Sequence, residues 1–501
     1  MSESIQSACR LSTKLRELRR CVIAESEQLL ERWHPTVAGS SFSGSASNLA
    51  AYLAFRQRDL RSIQLALAVL GVSSLGRSEA HVLATLDAVI ATLAAIEGRK
   101  HRNLAPRPSM SRFTSGSRLL KARAQELLVG AKGRSVRIMV TLPTTAATDR
   151  KWVRTLIDAG TDCVRINCAH DSPGVWMQMI RNVRMAARAA GRPCRVLMDL
   201  CGPRARIEAV LPEDEEQRVK RDDRVLLTKH RLGKKPGVQF QAQCLIKEIF
   251  DILKRGSRVW INEGRIGAIV EKSTRDGLVL RVTEAREKGE KFRAEMALNF
   301  PDSDLHICPL TEKDLGDLDF IVQHADIVGY SFVQTPEDIS LLLSELDVRR
   351  ARFKRQDKLG LIAKIETAKA VRNLPEMIVR AAARGPFGVM IARGDLAVEV
   401  GFLRIAELQE EILWMCEAAH VPVIWATQVL ESLAKKGMPT RAELTDAAMS
   451  ERAECVMLNK GPYIIAAVGV LDELLRQTAA HHSKNTAMLR ALRSWDHLIK
   501  P

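Results

Sequence analysis

The run Leu361-Ile362-Ala363-Lys364-Ile365-Glu366 is followed, about one strand–helix unit later, by Val389-Met390-Ile391-Ala392-Arg393-Gly394-Asp395-Leu396. Each is a short apolar stretch that ends abruptly in charge. Apolar runs of this length, bounded by Gly or polar residues, read as strands buried on both faces, as in a parallel sheet. A strand so buried has no reason to end in Lys-x-Glu or Arg-Gly-Asp unless its tip opens onto a site. In barrels of alternating strands and helices, the carboxyl ends of the strands carry the chemistry. Two carboxylates, Glu366 and Asp395, converging with Lys364 point to a hard divalent cation with an ammonium beside it. Such a site suits a phosphate or an enolate. A structural ion pair under the barrel rim would explain either tip alone, but explains both together poorly.

Working outward, candidate strands fall at 137–142, 163–168, 195–200, 325–332, 360–365, 387–392, 421–426 and 455–458. Amphipathic helical stretches at 149–160, 172–190, 335–349, 366–383 and 404–419 separate most of them. Eight strands alternating with helices are what an α/β fold of the (β/α)8 TIM-barrel type requires. One gap is too long for a single helix. Its short alternating runs, Arg224–Leu227, Arg258–Ile261, Ala268–Val270 and Leu278–Val282, lie among Gly and Asp turns. They read as a small β-rich lid domain at 205–308, inserted between barrel parts 136–204 and 309–483. A helix at Ile464–Ala480 closes the barrel, and 484–501 is a polar tail.

Upstream, residues 1–98 read as an all-α N-terminal domain. Leu11, Leu15, Leu18, Val22 and Leu29 keep helical spacing, a polar break follows at Gly39–Asn48, and a second helix runs from Leu49 to Leu70. After a turn at Gly71–Gly76, Ser78 with Glu79 and His81 opens a third helix through Ile96. No chemical constellation stands out there, so a docking or scaffold role is the default. Residues 99–135 read as a linker, basic and Pro/Ser/Gly-containing over 99–117.

At 501 residues and 46% hydrophobic content, the chain has material for two to four domains and a large core. Its ten cysteines lack C-x-x-C spacing, which argues against a disulfide framework or a zinc site and for a reducing, cytoplasmic setting. The most apolar segments are broken by Asp59, Arg61, Glu79 and Asp87, so no membrane span is expected. The net charge of +17 is uneven. Residues 1–135 hold 20 Lys+Arg against 10 Asp+Glu, net +10, leaving +7 for the other 366. That module suits nucleic acid, an acidic partner or anionic lipid, and equally a merely solvated basic surface.

The remaining strand tips add polar groups to the same rim. Strand two ends Arg165-Ile166-Asn167-Cys168-Ala169-His170, and strand three ends Asp199-Leu200-Cys201-Gly202-Pro203-Arg204-Ala205-Arg206. Strand four ends Tyr330-Ser331-Phe332, and strand seven ends Ala426-Thr427-Gln428. Guanidinium groups grip phosphate in a fork, and a lysine can neutralise a phosphoryl group in transfer. Singly, each residue is weak evidence. Together they define a site.

These motifs, with Pro439-Thr440-Arg441-Ala442-Glu443 and the order in which they occur, resemble the pyruvate kinase family over roughly 136–460. The resemblance implies phosphoryl transfer from phosphoenolpyruvate to ADP, giving pyruvate and ATP, in a homo-oligomer. It implies Mg2+ or Mn2+ on Glu366 and Asp395, with Lys364 stabilising the phosphoryl group in flight. Arg165 would hold phosphate, and Thr427 would lie near the carbon that is protonated. Ser331 and the Gly394–Asp395 backbone would meet substrate, and Asn167, His170 and Arg206 would line the nucleotide side.

Departures from the family pattern bear on the monovalent-cation region, formed by Asn167, Asp199, Leu200 and Arg204. Ala169 stands where the family usually has a serine that helps ligate K+, and Arg204 takes the place of a glutamate or lysine. A fixed guanidinium could replace the missing cation, so the expectation is activity without K+. Cys201 replaces a usual lysine, Asn262-Glu263-Gly264 replaces a paired-aspartate turn in the lid, and Asn459-Lys460-Gly461-Pro462-Tyr463 stands after strand eight in place of the family's Gly-Glu-Thr-Ala-Lys-Gly loop. The sequence stops about twenty residues past the barrel, so no activation by sugar phosphates through a C-terminal domain is expected. Two alternatives stay open: a phosphoenolpyruvate- or pyruvate-handling barrel with lyase chemistry, and a metabolite-binding regulatory barrel with a basic interaction module.

Overall fold

The computed structural model describes residues 3–98, 107–131, 133–203, 205–212, 217–233, 235–303, 307–479, 482–484 and 486–487. Eight parallel strands close into a barrel: β1 (Arg137–Thr141), β2 (Cys163–Asn167), β3 (Arg195–Asp199), β4 (Ile327–Tyr330), β5 (Gly360–Ile365), β6 (Phe387–Ala392), β7 (Val423–Ala426) and β8 (Cys455–Leu458). Spatial order follows chain order, and β8 closes on β1 with Arg137 opposite Cys455. Every residue of β5 and β6 is buried, which is why these strands read as continuous apolar runs. Between β3 and β4 the chain builds a seven-stranded, mostly antiparallel sheet. This sheet has its own core, including Val225, Leu227, Val259, Ile266, Leu280 and Phe292. The fold is a (β/α)8 barrel with an inserted β domain and an N-terminal helical domain.

The helical domain comprises α1 (Glu3–Val37), α2 (Ser43–Phe55), α3 (Arg61–Val69) and α4 (Val82–Ile96). Leu11, Leu15, Leu18 and Val22 of α1 are buried with Leu49, Leu67, Leu86 and Leu93. The segment Glu79–Ile96 is long and apolar enough to cross a membrane, yet 61% of it is buried inside the protein.

Several expected boundaries need correction. The polar break at 39–48 is shorter than it reads, because Ser43 to Asn48 already coil in α2, where Ser45 and Ala46 are buried. The run 49–70 is two helices, broken after Phe55, where Arg58 turns back onto the Ala54 carbonyl and Glu25. The linker expected over 99–135 contains a helix, α5 (Met110–Leu128), capped by Ser109. Gly116 and the serines hide α5 from a propensity reading. Gly116 is needed because a Cβ there would come within 2.1 Å of the Ala80 carbonyl and 2.4 Å of the His420 ring, so tertiary packing overrides propensity. The stretch 366–383 splits at Asn373, with Pro375 in the first turn of the second helix. The polar tail starts tied down: residues 482–483 pair with 486–487, and Lys484 lies 2.5 Å from Glu454. Arg204, residues 99–106 and the tail beyond 487 lie outside the described residues.

The end of α5 plugs the amino-terminal mouth of the barrel. Leu127 and Leu128 join Met139, Leu197, Ile362, Met390 and Ile424 in the barrel interior. Gly360 and Gly388 make room for this plug, since a Cβ on either would come within 2.5 or 2.7 Å of a Leu127 methyl. Burying a leucine this completely contributes about 1.5–3 kcal/mol. With that mouth filled, the carboxyl-terminal rim is left for chemistry.

His420 fastens the helical domain to the barrel. Its Nε2 donates to the Ala80 carbonyl (2.9 Å), so Nδ1 accepts from the Ser45 hydroxyl (2.9 Å). Arg123 donates to Ser45 Oγ and to the Ala419 and His420 carbonyls. Burial lowers the His420 pKa to about 4, and the Arg123 charge adds to the shift. Between pH 6.5 and 4 the unfolded chain therefore binds a proton that the folded protein refuses. The stability held by neutral His420 is whole above pH 6.5 and is lost as pH falls toward 4. The full loss is about 3 kcal/mol. Melting temperature should fall more steeply between pH 7.5 and 4.5 for the wild type than for His420→Gln, and equal slopes would refute this.

Candidate active site

The strand tips surround one cavity of about 400 Å3. It is lined by Arg165, Asn167, His170, Asp199, Leu200, Arg206, Ser331, Lys364, Glu366, Gly394, Asp395 and Thr427, along with Ala169 and Cys201. The barrel thus gathers onto one rim residues spread over more than 260 positions of the chain.

Charge at the centre is arranged around Asp199 and Lys364. Arg165 donates to Asp199 Oδ2 through Nε (2.9 Å) and a terminal nitrogen (2.5 Å), and to Thr141 Oγ1 (3.2 Å). Lys364 Nζ lies 3.3 Å from Asp199, 3.1 Å from Glu366 and 2.6 Å from Ser331 Oγ. Ser331 in turn donates to the Leu200 carbonyl (2.7 Å). Burial works to strip the Lys364 proton, but Asp199 and Glu366 outweigh it and hold the ammonium above its ordinary pKa. For Asp199, burial is overcome by Lys364 and Arg165, so its pKa lies below the usual range. Gly329 opposite is a size requirement, because a Cβ there would sit 2.5 Å from an Asp199 oxygen. Asp199 Oδ1 is buried with no hydrogen-bond partner among the described residues.

Glu366 is buried, and its Oε2 accepts from the Phe332 amide (2.6 Å). Phe332 is left-handed (φ +56°), and this conformation aims that N–H. Burial raises the Glu366 pKa, Lys364 opposes the rise, and Asp395 adds to it. Asp395 sits in the first turn of a helix, Arg393–Val400, that follows β6 directly. Two hard carboxylates that repel each other on a rim suit Mg2+ or Mn2+. Among the described residues no cluster of three or more His, Cys, Asp or Glu forms a cage. Substrate oxygens and water would complete such a shell, as Mg2+ commonly requires.

After β7 the chain turns through three left-handed non-glycine residues, Thr427 (φ +65°), Gln428 (+59°) and Leu430 (+46°). Such backbone costs of order 1–3 kcal/mol per residue and is held in place by its surroundings. Here it points Thr427 inward, where Oγ1 accepts from the Gly394 amide (2.9 Å). The hydroxyl hydrogen remains for the cavity.

Sequence reasoning left several lining residues without a role. Glu263, on the turn of the inserted domain, lines the same cavity, and Gly264 beside it packs on Val398. The lid is folded down over the rim. Lys435 and Lys460 also line the cavity, and Lys460 lies close enough to act on His170. The loop after β8 carries Lys460 there, and Gly461 beside it lies flat on the Ala434 carbonyl, where a Cβ would come within 2.2 Å. Burial and Lys460 lower the His170 pKa. Arg206 donates to Glu295 of the insert (2.9 Å). The departures at 262–264 and 459–463 were the available signals, but sequence spacing does not say which way a loop turns.

A β/α barrel with a β-domain lid and a carboxylate–lysine–arginine cluster on its carboxyl rim defines a class: barrel proteins that gather opposite charges around one cavity at the strand tips. A family model described as "Pyruvate kinase, barrel domain" matches residues 133–468. The chain belongs to the pyruvate kinase family. It is 31% identical to "Pyruvate kinase PKLR" of Rattus norvegicus over 363 residues, covering 69% of this chain and 60% of that protein. Against "Pyruvate kinase" of Dictyostelium discoideum it is 30% identical, covering 64% of this chain and 62% of that protein. Against "Pyruvate kinase" of Methylorubrum extorquens it is 28% identical, covering 73% and 79%. The match spans about 60% of the length of the rat relative.

Proposed function

We propose that this chain transfers the phosphoryl group of phosphoenolpyruvate to ADP, giving pyruvate and ATP, with Mg2+ or Mn2+ as cofactor. One observation carries the reading: a buried ammonium, Lys364, kept charged between Asp199 and Glu366 in a cavity that also takes in Arg165, Asp395 and Thr427. Phosphoryl transfer is catalysed chiefly by positioning and by fixed positive charge where water is excluded. When bound to Glu366 and Asp395, the divalent ion would draw charge from the phosphate and carboxylate oxygens. Lys364, anchored by Ser331, faces the phosphoryl group. Arg165, oriented by Asp199, holds phosphate, and the Gly394–Asp395 backbone meets the substrate carboxylate through the Asp395 amide, the Gly394 N–H being given to Thr427. Thr427 lies where the enolate is protonated. Asn167, His170 and Arg206 receive the nucleotide, and the lid excludes water.

In this reading the activity needs no K+. Ala169 offers no hydroxyl ligand, and a guanidinium at position 204 would supply a fixed positive charge in place of the ion. The ten unpaired cysteines fit a cytoplasmic setting, and a homo-oligomer follows the family. The test is pyruvate formation from phosphoenolpyruvate, ADP and Mg2+, run in K+ and in Na+ alone. Turnover within about twofold in the two salts is expected. A clear rise with K+ would remove the Arg204 role, and absent turnover with phosphoenolpyruvate still bound would favour the regulatory or lyase alternative.

A further inference from the structure

Arg393 opens the Arg-Gly-Asp tip of β6 but does not line the cavity. Its guanidinium instead reaches across to the next strand. Nε donates to the Ala426 carbonyl (3.0 Å) and a terminal nitrogen to the Thr427 carbonyl (2.6 Å). Both terminal nitrogens also engage the Asp446 carboxylate, one of them at 2.9 Å, from the helix Arg441–Met449. The planar group lies over the buried Trp425 ring, 4.5 Å from its centroid. One side chain therefore ties down the two carbonyls at the start of the left-handed turn, and the next residue, Gly394, holds the Thr427 hydroxyl.

From this geometry we infer that Arg393, locked by Asp446, is a positioning residue that sets Thr427 for proton transfer. The inference rests on the reading of the reaction above. Phosphoryl transfer leaves an enolate, which takes a proton at its methylene carbon and becomes pyruvate. The Thr427 hydroxyl relays that proton from solvent, giving one and regaining one. An ångström of misplacement at such a group costs on the order of a hundredfold in rate. The clamp touches neither Lys364 nor Glu366, so binding of phosphoenolpyruvate and ADP should survive its loss. Lysine cannot serve in its place, because a point charge does not span three acceptors arranged around a plane.

The test compares wild type with Arg393→Met, Arg393→Lys and Asp446→Asn. The readouts are kcat, both KM values, exchange of pyruvate methyl hydrogens with D2O in the presence of Mg2+ and ATP followed by proton NMR, and a crystal structure of each variant. Arg393→Met should lose about a hundredfold in kcat and in methyl exchange, with each KM within about twofold. Arg393→Lys should recover little of this, Asp446→Asn should lose about tenfold, and the 427–430 turn should relax in Arg393→Met. Wild-type methyl exchange in Arg393→Met, an unmoved turn, or a loss appearing mainly in KM would overturn the inference. If the wild type neither turns over nor exchanges, the proposed function fails, and the turn geometry alone decides the clamp.

Discussion

Exchanging Lys364 for methionine is expected to lower pyruvate formation at least a thousandfold in a protein that still folds. Methionine keeps most of the stem volume and removes the charge, so the loss reads the charge itself. Removing a single fixed donor from a preorganised site costs on the order of 10²–10³ in rate. A full ammonium, buried and held 3.1–3.3 Å from two carboxylates, acts where dielectric screening is weak. The substitution also leaves Asp199 and Glu366 facing each other without the cation between them. Breaking a buried pair in this way costs about 3–5 kcal/mol when nothing compensates. Here Arg165 still holds Asp199, and Mg2+ on Glu366 would offset the rest. The melting temperature of Lys364→Met should therefore drop in metal-free buffer and partly recover with millimolar Mg2+. Activity within tenfold of wild type would place the phosphoryl-stabilising charge elsewhere.

The same physics explains what the amino-acid sequence made legible. β5 and β6 were plain because a strand buried on both faces must be apolar, so Lys364, Glu366 and Asp395 stand out where that rule breaks at the tips. Eight such runs with helices between them leave little choice but closure, and the parallel pairing of neighbouring strands brings Arg165 of β2 against Asp199 of β3. What the sequence hid depends on contacts between distant segments. Gly116 reads as a helix breaker until the Ala80 carbonyl is found where its side chain would be. Phe332 reads as the apolar end of β4, yet its working part is an amide turned to Glu366 by a left-handed φ. Asp446 is 53 positions from Arg393, and helical periodicity does not reveal that they meet. Patterning thus conveys which side chains are buried and which chemistry reaches the rim. It does not convey the backbone conformations that aim them.

The second large effect concerns the carboxylate pair, and its two members should fail differently. Asp395→Asn keeps the side-chain shape and removes one negative charge. Its apparent affinity for Mn2+, followed by electron paramagnetic resonance titration, should weaken about a hundredfold or more. Even groups that only support a metal ligand are worth 10–100-fold. Its metal-free stability should hold or rise, because the like charge that helps push up the Glu366 pKa is gone. Glu366→Gln should lose metal to a similar degree and stability besides. Glu366 is the counter-charge of buried Lys364 and the acceptor of the Phe332 amide, so the glutamine variant leaves Lys364 with Asp199 as its remaining carboxylate at the site. Burial then works on that ammonium with less opposition, and its pKa should fall from its raised position. Melting temperature separates the two cases: near wild type for Asp395→Asn, several degrees lower for Glu366→Gln. Wild-type Mn2+ affinity in Asp395→Asn would remove Asp395 from the metal site and leave Glu366 as its sole protein carboxylate among the residues assigned to it.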